Sequence, residues 1–258
     1  MTCGPTRRDI AAYEDAYSSD YDFELVQVQY RREAALRSLH ACKPGYVIEI
    51  GCGLEPLLPF YLADGGAGID RWLVVEPAER FVQAASAIAA RHGGMVVLQG
   101  FFEDVAERVI KDYGQADMVI CSGLLHEVPD PLHLLTAIRS TMRADAWLHV
   151  NVPNAASLHR RVARAMGLIA DLRAMSARNV LLQQHRVYDL ESLRADLKVA
   201  GLQSVRHGGI LLKPFAHAQM QAILPVIGDD VLRGLGKIGE DFPELASEIF
   251  VDAMLVHE

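Results

Sequence analysis

Long apolar stretches are missing from this sequence: no hydrophobic run approaches the roughly 18 residues that a membrane-spanning helix needs. Residues Met1 to Asp9 also lack the apolar core of a secretory leader, so a cytoplasmic protein without a membrane anchor is expected. Cysteine is scarce. Cys3, Cys42, Cys52 and Cys121 fit no paired metal-ligand spacing and are too few for a disulfide framework, which predicts reduced thiols and no metal site. Internal repeats and low-complexity tracts are absent. With 25 Lys and Arg against 33 Asp and Glu, the net charge is −8, and apart from one short segment no basic run is present to neutralise a phosphate backbone. A nucleic-acid partner is therefore not expected.

What is present is an alternation. Tyr46-Val47-Ile48-Glu49-Ile50, Trp72 to Val75, Met95 to Leu98, Met118 to Cys121 and Ala146 to Val150 are short apolar runs. Helical stretches such as Glu79 to Arg91, Asp104 to Lys111 and Pro131 to Met142 separate them. That spacing predicts right-handed βαβ units and a doubly wound α/β sheet. A helix at 190–200, with Asp189 as its cap and Gly201 as its stop, leads to strands near 203–212 and 248–256. The expected whole is a mostly parallel seven-stranded sheet with an antiparallel C-terminal strand. Residues 1–40 form an N-terminal helical cap, and residues 41–258 form the main domain. A helical insertion follows the fifth strand at about 154–184, and a helical segment is expected at 217–238.

The first strand runs into Glu49-Ile50-Gly51-Cys52-Gly53, with a helix predicted to begin near Pro56. Backbone amides and a helix N-terminus approach a nucleotide closely in this geometry, and glycine is required where a Cβ would meet the ligand. Glu76, at the end of the second strand and before Pro77, is placed to accept hydrogen bonds from both ribose hydroxyls. A dinucleotide fingerprint needs glycine at position 56, but the residue there is proline. A nucleoside cofactor without a pyrophosphate is the better fit.

Glu49-Ile50-Gly51-Cys52-Gly53 resembles the first motif of the class I S-adenosylmethionine-dependent methyltransferases, and Glu76 matches their ribose-binding acid. Gln99-Gly100-Phe101-Phe102-Glu103-Asp104 and the run from Asp117 to Pro131 are similar to the third- and fourth-strand motifs of that family. The resemblance implies S-adenosylmethionine as cofactor and S-adenosylhomocysteine as product. It places Glu49 near the methionine amino group, Gly51, Cys52 and Gly53 under the cofactor and Glu76 with Pro77 at the ribose. Phe101, Phe102 and Glu103 fall around the adenine, and Cys121 and Ser122 beside the methionine portion. The chain departs from the common pattern at Glu55, where many members have glycine, and at Phe101, where many have an acid.

Methylation of a hydroxyl or a protonated amine needs a group that takes the proton. His126 and Glu127, in an order reversed from many relatives, follow the fourth strand, and His185 closes the insertion. Each histidine is either a catalytic group or a capping and packing residue. For the acceptor the candidates are Tyr13, Tyr17 and Tyr21, Asn154, and the arginines Arg160 and Arg186, which suit an anionic group. The tyrosines are equally read as packing, and the arginines as a solvated helix face. Lys213 and His217 are further rim positions with no specific signal. Asn/Asp-Pro-Pro-Tyr is absent after the fourth strand, and no carboxylate ends that strand, which disfavours base-amino and metal-assisted catechol chemistry. The expectation is transfer of a methyl group to an O or N atom of a small molecule, of sugar or secondary-metabolite type, by a monomer or homodimer. A nicotinamide-dependent oxidoreductase and a non-catalytic S-adenosylmethionine-binding regulator are the alternatives.

Overall fold

The structure, a computed structural model, describes residues 8–16 and 23–256. Tyr17 and Tyr21 lie outside the described residues. Seven strands form one sheet in the order β3-β2-β1-β4-β5-β7-β6. They are β1 (Tyr46–Ile50), β2 (Arg71–Glu76), β3 (Met95–Gln99), β4 (Ala116–Ser122), β5 (Met142–Pro153), β6 (Leu202–Ile210) and β7 (Glu248–Leu255). β1 to β5 pair in parallel, whereas β7 is antiparallel to both β5 and β6. Every residue of β1 is buried, as expected for a parallel strand covered by helices on both faces.

The period-two alternation of side chains sorts the core into two layers. Ile48, Ile50, Leu73, Val75, Val119 and Cys121 pack on one face, against α5 (Phe102–Tyr113), α6 (Pro131–Ser140) and α9 (Leu190–Val199). Val47, Trp72, Val74, Met118 and Ile120 pack on the other, against α2 (Glu24–Cys42) and α3 (Leu58–Ala63), with α4 (Glu79–Ala89) on the same side. The sheet order reverses between β1 and β4. The carboxyl ends of those two strands therefore open a crevice, the general ligand position in such sheets.

Two helix N-termini are capped by aspartate side chains. Asp130 accepts from His133 N at 3.0 Å, and Asp189 accepts from Ser192 N at 2.9 Å. Three expectations need adjustment. The helix after the first loop starts at Leu58 rather than near Pro56. Residues 154–182 are not continuously helical: α7 (Leu158–Ala165) stops before Gly167, which is left-handed at φ 75°, and α8 (Ala177–Leu181) starts from a Ser176/Asn179 capping box. Arg160 bonds the carbonyls of Leu172 and Ala174 in the connection between them. The segment α10 (His217–Asp241) is broken at Gly228, with φ 67°, three residues after Pro225. The short helix α1 (Ile10–Ala16) lies ahead of α2. Among the described residues no helix is long and apolar enough to cross a membrane.

Candidate active site

The loop after β1 is held by its own acid. Glu49 is buried, and its carboxylate oxygens accept from Leu57 N at 3.1 Å and from the Trp72 indole N–H at 2.8 Å, which ties the loop to β2. Gly51 and Gly53 take left-handed backbone angles, with φ 71° and 59°. Gly51 N still donates to Val75 O at 2.9 Å, so the backbone turns out of the sheet without losing its last ladder bond. Cys52 is half-buried and its Sγ lies 3.2 Å from Gly53 O. Burial pushes that thiol far up and leaves it un-ionised.

Glu76 ends β2 and accepts from Ala78 N at 2.9 Å. Burial pushes the carboxyls of Glu49 and Glu76 up to about 7. Pro77, Phe101, Phe102 and Glu103 complete this side, with the Phe102 ring in the core beneath the cavity. After β4, Ser122 Oγ donates to Asn151 Oδ1 at 2.6 Å, and Gly123, at φ 67°, turns the chain past Leu124.

His126 and Glu127 come next, both buried. His126 Nδ1 has no hydrogen-bond partner among the described residues. Burial, reinforced by Arg31 and Arg8, lowers the imidazole to about 3, so it is neutral and a weak base. Glu127 is paired with Arg8 at 2.6 Å, although burial still pushes its carboxyl upward. The same guanidinium stacks 3.9 Å over the Tyr13 ring, which meets Phe81 edge-on at 6.1 Å. The start of the described chain is thereby tied to the loops around the crevice.

These loops border a cavity of about 380 Å³, toward the lower end of the size range of small-molecule sites. Its far side is built from residues remote in sequence. Arg31 Nε donates to Glu248 Oε2 at 2.9 Å, and Arg31 Nη2 donates to Glu24 at 3.0 Å and also bonds Glu248. Glu248 accepts from Asn151 Nδ2 at 2.9 Å, joining this network to Ser122. Lys213, His217, His159 and Arg178 stand around it. Burial pushes the Glu24 carboxyl upward, yet His217 and Arg31 outweigh that and hold it at about 2.

Of the residues singled out from sequence, Glu49, Gly51, Cys52, Gly53, Glu76, Pro77, Phe101, Phe102, Glu103 and Ser122 are brought together here. His126, Glu127, Tyr13, Asn154 and Arg160 also line the cavity. Asn154 is already satisfied, its amide donating to Ala246 O at 2.9 Å and its oxygen accepting from Ala156 N. Three residues do not reach it. Cys121 points into the core between the sheet and α5 and α6, because strand alternation turns it away from the face that Ile120 occupies. His185 is exposed, and the neighbouring Gln184 takes the place at the cavity wall. Arg186 is exposed and pairs with Asp196 on α9, beside Tyr188. Sequence reading missed Glu24, Arg31 and Glu248, which carry no local motif.

The site fits S-adenosylmethionine. A Cβ built on Gly51 would come within 3.3 Å of the Leu124 side chain, in a backbone region that side chains rarely adopt, so the loop beside the cavity keeps this turn only with glycine. Glu76 faces the cavity held by hydrogen bonds from the backbone amides of Ala78 and Gly53, and a carboxylate with about four acceptor sites keeps lone pairs for two hydroxyls.

Comparison with known proteins agrees. A family model described as a methyltransferase domain matches residues 24–207. No curated protein sequence matches the chain. Among solved structures, the N-methyltransferase NodS from Bradyrhizobium japonicum WM9, in complex with S-adenosyl-L-homocysteine, superposes with a TM-score of 0.59 at 11% identity, over 96% of this chain and 98% of that one. Magnesium protoporphyrin IX methyltransferase from Synechocystis PCC 6803, with bound S-adenosylhomocysteine, gives 0.59 at 16% identity, over 95% and 94%. The mitomycin 7-O-methyltransferase MmcR gives 0.58 at 16% identity; this chain is covered over 95% of its length but spans only 60% of that protein. At these identities the structural likeness establishes the fold. Because the family model spans most of the chain, including the β1 loop, Glu76 and the turn after β4, the chain belongs to the methyltransferase-domain family, as an S-adenosylmethionine-dependent class I methyltransferase.

Proposed function

We propose that this protein transfers a methyl group from S-adenosylmethionine to an O or N atom of a small, polar metabolite of sugar or secondary-metabolite type. One observation carries the reading. The cavity runs from the glycine loop and Glu76 at one end to a lysine, arginine and histidine cluster at the other, between α2, α7, α8 and the start of α10. In this reading the described residues 8–16 and 23–40 act as a cap and about 154–184 as an insertion over the sheet's carboxyl edge, and between them they limit the acceptor to a small molecule. The three described cysteines are free, in keeping with a reducing cytoplasm.

When bound, the cofactor supplies an electrophilic methyl carbon on a positively charged sulfur. Glu49 sets the loop, Gly51 and Gly53 leave room for the nucleoside, Glu76 takes the ribose hydroxyls, and Phe101, Phe102 and Glu103 border the adenine. His126, neutral and lining the cavity, accepts a hydrogen bond from the acceptor and orients it. Much of the catalysis then comes from holding a lone pair in line with the methyl carbon away from water.

Two outcomes follow from these assignments. His126→Ala is expected to lower turnover about tenfold, the scale of one hydrogen bond lost at the acceptor, with S-adenosylhomocysteine affinity unchanged; normal turnover would return His126 to a packing role. Glu76 and Glu49 sit at about 7 in the free protein. Because the hydroxyls bind the ionised carboxylate, S-adenosylhomocysteine affinity is expected to rise as pH increases through 7. Glu76→Gln should flatten part of that rise and weaken binding about 10- to 100-fold above pH 8. Calorimetry at pH 6 and pH 8 reads both effects.

The acceptor itself is found by offering the protein methyl-deuterated S-adenosylmethionine with the low-mass filtrate of a cell extract. A deuteromethylated metabolite supports the reading. Label recovered only on proteins or nucleic acids, when unfiltered extract is used, would sink it.

A further inference from the structure

Lys213 follows β6 in the connection to α10, and only 2% of it is exposed, although it lines the cavity. Its Nζ lies 2.9 Å from His217 Nδ1, and His217 Nε2 lies 3.1 Å from Glu24 Oε2. Among the described residues no carboxylate stands within ion-pair distance of Lys213, which is unusual for a lysine this deeply buried. We propose that Lys213 takes the proton released by the methyl acceptor, with His217 and Glu24 as the residues that position it. The proposal rests on reading the cavity as the acceptor site.

The hydrogen-bond roles in this row are fixed from one end. Glu24 is ionised and only accepts, so His217 Nε2 carries the hydrogen and Nδ1 is the acceptor for an N–H of Lys213. A neutral Lys213 amine in that bond spends a hydrogen on His217 and keeps its lone pair. The groups facing Nζ come from every surrounding element: Glu24 and Arg31 on α2, Glu248 on β7, Arg178 on α8, His159 on α7 and His217 on α10. Burial is the largest influence and lowers the ammonium to about 8, with Glu24 and Glu248 pulling the other way and Arg178 and Arg31 adding to the lowering. A substantial neutral fraction is therefore present near pH 8. His217 is also lowered, again chiefly by burial, and stays a neutral relay between the amine and Glu24.

In the step itself, the acceptor's O–H or N–H proton passes to Nζ, giving the ammonium. The lone pair so freed on the acceptor forms the bond to the methyl carbon, and the carbon–sulfur bond breaks with its electrons left on sulfur. The new positive charge on Lys213 is met by Glu24 through His217. His126 is a poor candidate for this work, because burial, with Arg31 and Arg8 adding to it, lowers its imidazole to about 3.

The test needs no knowledge of the acceptor. Trace acetic anhydride is applied to the full-length protein across pH 6 to 11, and the Lys213 peptide is followed by mass spectrometry beside exposed Lys43 and Lys198. Lys213 is expected to acetylate with a midpoint near 8, and Glu24→Gln is expected to move that midpoint to lower pH by removing a negative charge. A Lys213 unreactive at every pH, a curve coincident with those of Lys43 and Lys198, or a midpoint indifferent to Glu24→Gln overturns the proposal. In the deuteromethyl transfer assay, Lys213→Met is expected to lose about 100-fold or more in turnover with S-adenosylhomocysteine affinity retained, and equal turnover again overturns it. Failure of the wild-type protein to label any filtrate component would count against the functional reading instead, while the acetylation curve still decides Lys213.

Discussion

Gly51→Val is expected to abolish measurable S-adenosylhomocysteine binding in a protein that still folds. Gly51 sits at φ 71°, where an L-residue costs roughly 1–2 kcal/mol and a β-branched side chain is a marked outlier. Even the first added carbon would lie 3.3 Å from Leu124 Cδ2, and the two γ-methyls of valine extend beyond it into the cavity floor. The loop thus has two responses. It keeps its backbone and fills the nucleoside's space, or it relaxes toward a permitted φ and breaks the Gly51 N bond to Val75 O, which displaces Glu49 and Gly53 as well. Both remove the site. The strain is small beside the stability of a domain this size, so far-ultraviolet circular dichroism should be unchanged while calorimetry loses its heat of binding, a fall of more than about 100-fold in affinity, or roughly 2.8 kcal/mol. Gly51→Ala should fall between the two. Wild-type affinity in the valine variant would mean that the ligand does not lie on this loop.

The largest effect on stability is expected at Asp252. This buried carboxylate on β7 lies 2.7 Å from His149 Nδ1 on β5, and accepts from Ser38 Oγ on α2 at 2.9 Å and from Arg206 Nε on β6 at 2.6 Å. Burial alone pushes the carboxyl up, but these partners bring it below its ordinary value. Four elements meet on one side chain. Asp252→Ala leaves an imidazole, a hydroxyl and a guanidinium without their shared acceptor, the first two closed to water and the guanidinium partly exposed, a loss of about 3–5 kcal/mol. For a chain of this length, Tm should fall by roughly 6–20 °C. The damage reaches the cavity too, since β7 also carries Glu248 and α2 carries Glu24 and Arg31. A Tm within about 2 °C of wild type would show that Arg206 and Ser38 find other partners. The carboxyl lies below its unfolded value, so its contribution is present at neutral pH and is lost as pH falls through the acidic carboxylate range.

The cofactor half was legible because its signals are local. The alternation of apolar runs gave the strands, and Gly51, Gly53 and Glu76 lie at the turns those strands must make. Cys121 shows where that kind of reading stops: a motif locates the end of β4, but only the pleat decides that Ser122 faces the cavity and Cys121 the core. His185 failed by a single position, the wall being reached by Gln184. The run 154–182 has helical composition throughout, yet Gly167 and the Ser176 cap divide it. The acceptor half was legible only in part: Lys213 and His217 could be named as rim positions without a signal, and Glu24, Arg31 and Glu248 carried no motif. Glu24, Lys213, His217 and Glu248 lie on α2, in a loop, on α10 and on β7, and only the antiparallel insertion of β7 between β5 and β6 brings them to one wall. No spacing rule joins residues across such distances.

The cofactor assignment is tested by titrating the wild-type protein at pH 8 with S-adenosylhomocysteine and, separately, with NAD. It predicts one S-adenosylhomocysteine bound per chain and no heat with NAD, since Pro56 replaces the glycine that a pyrophosphate requires. Binding of NAD without S-adenosylhomocysteine would contradict it.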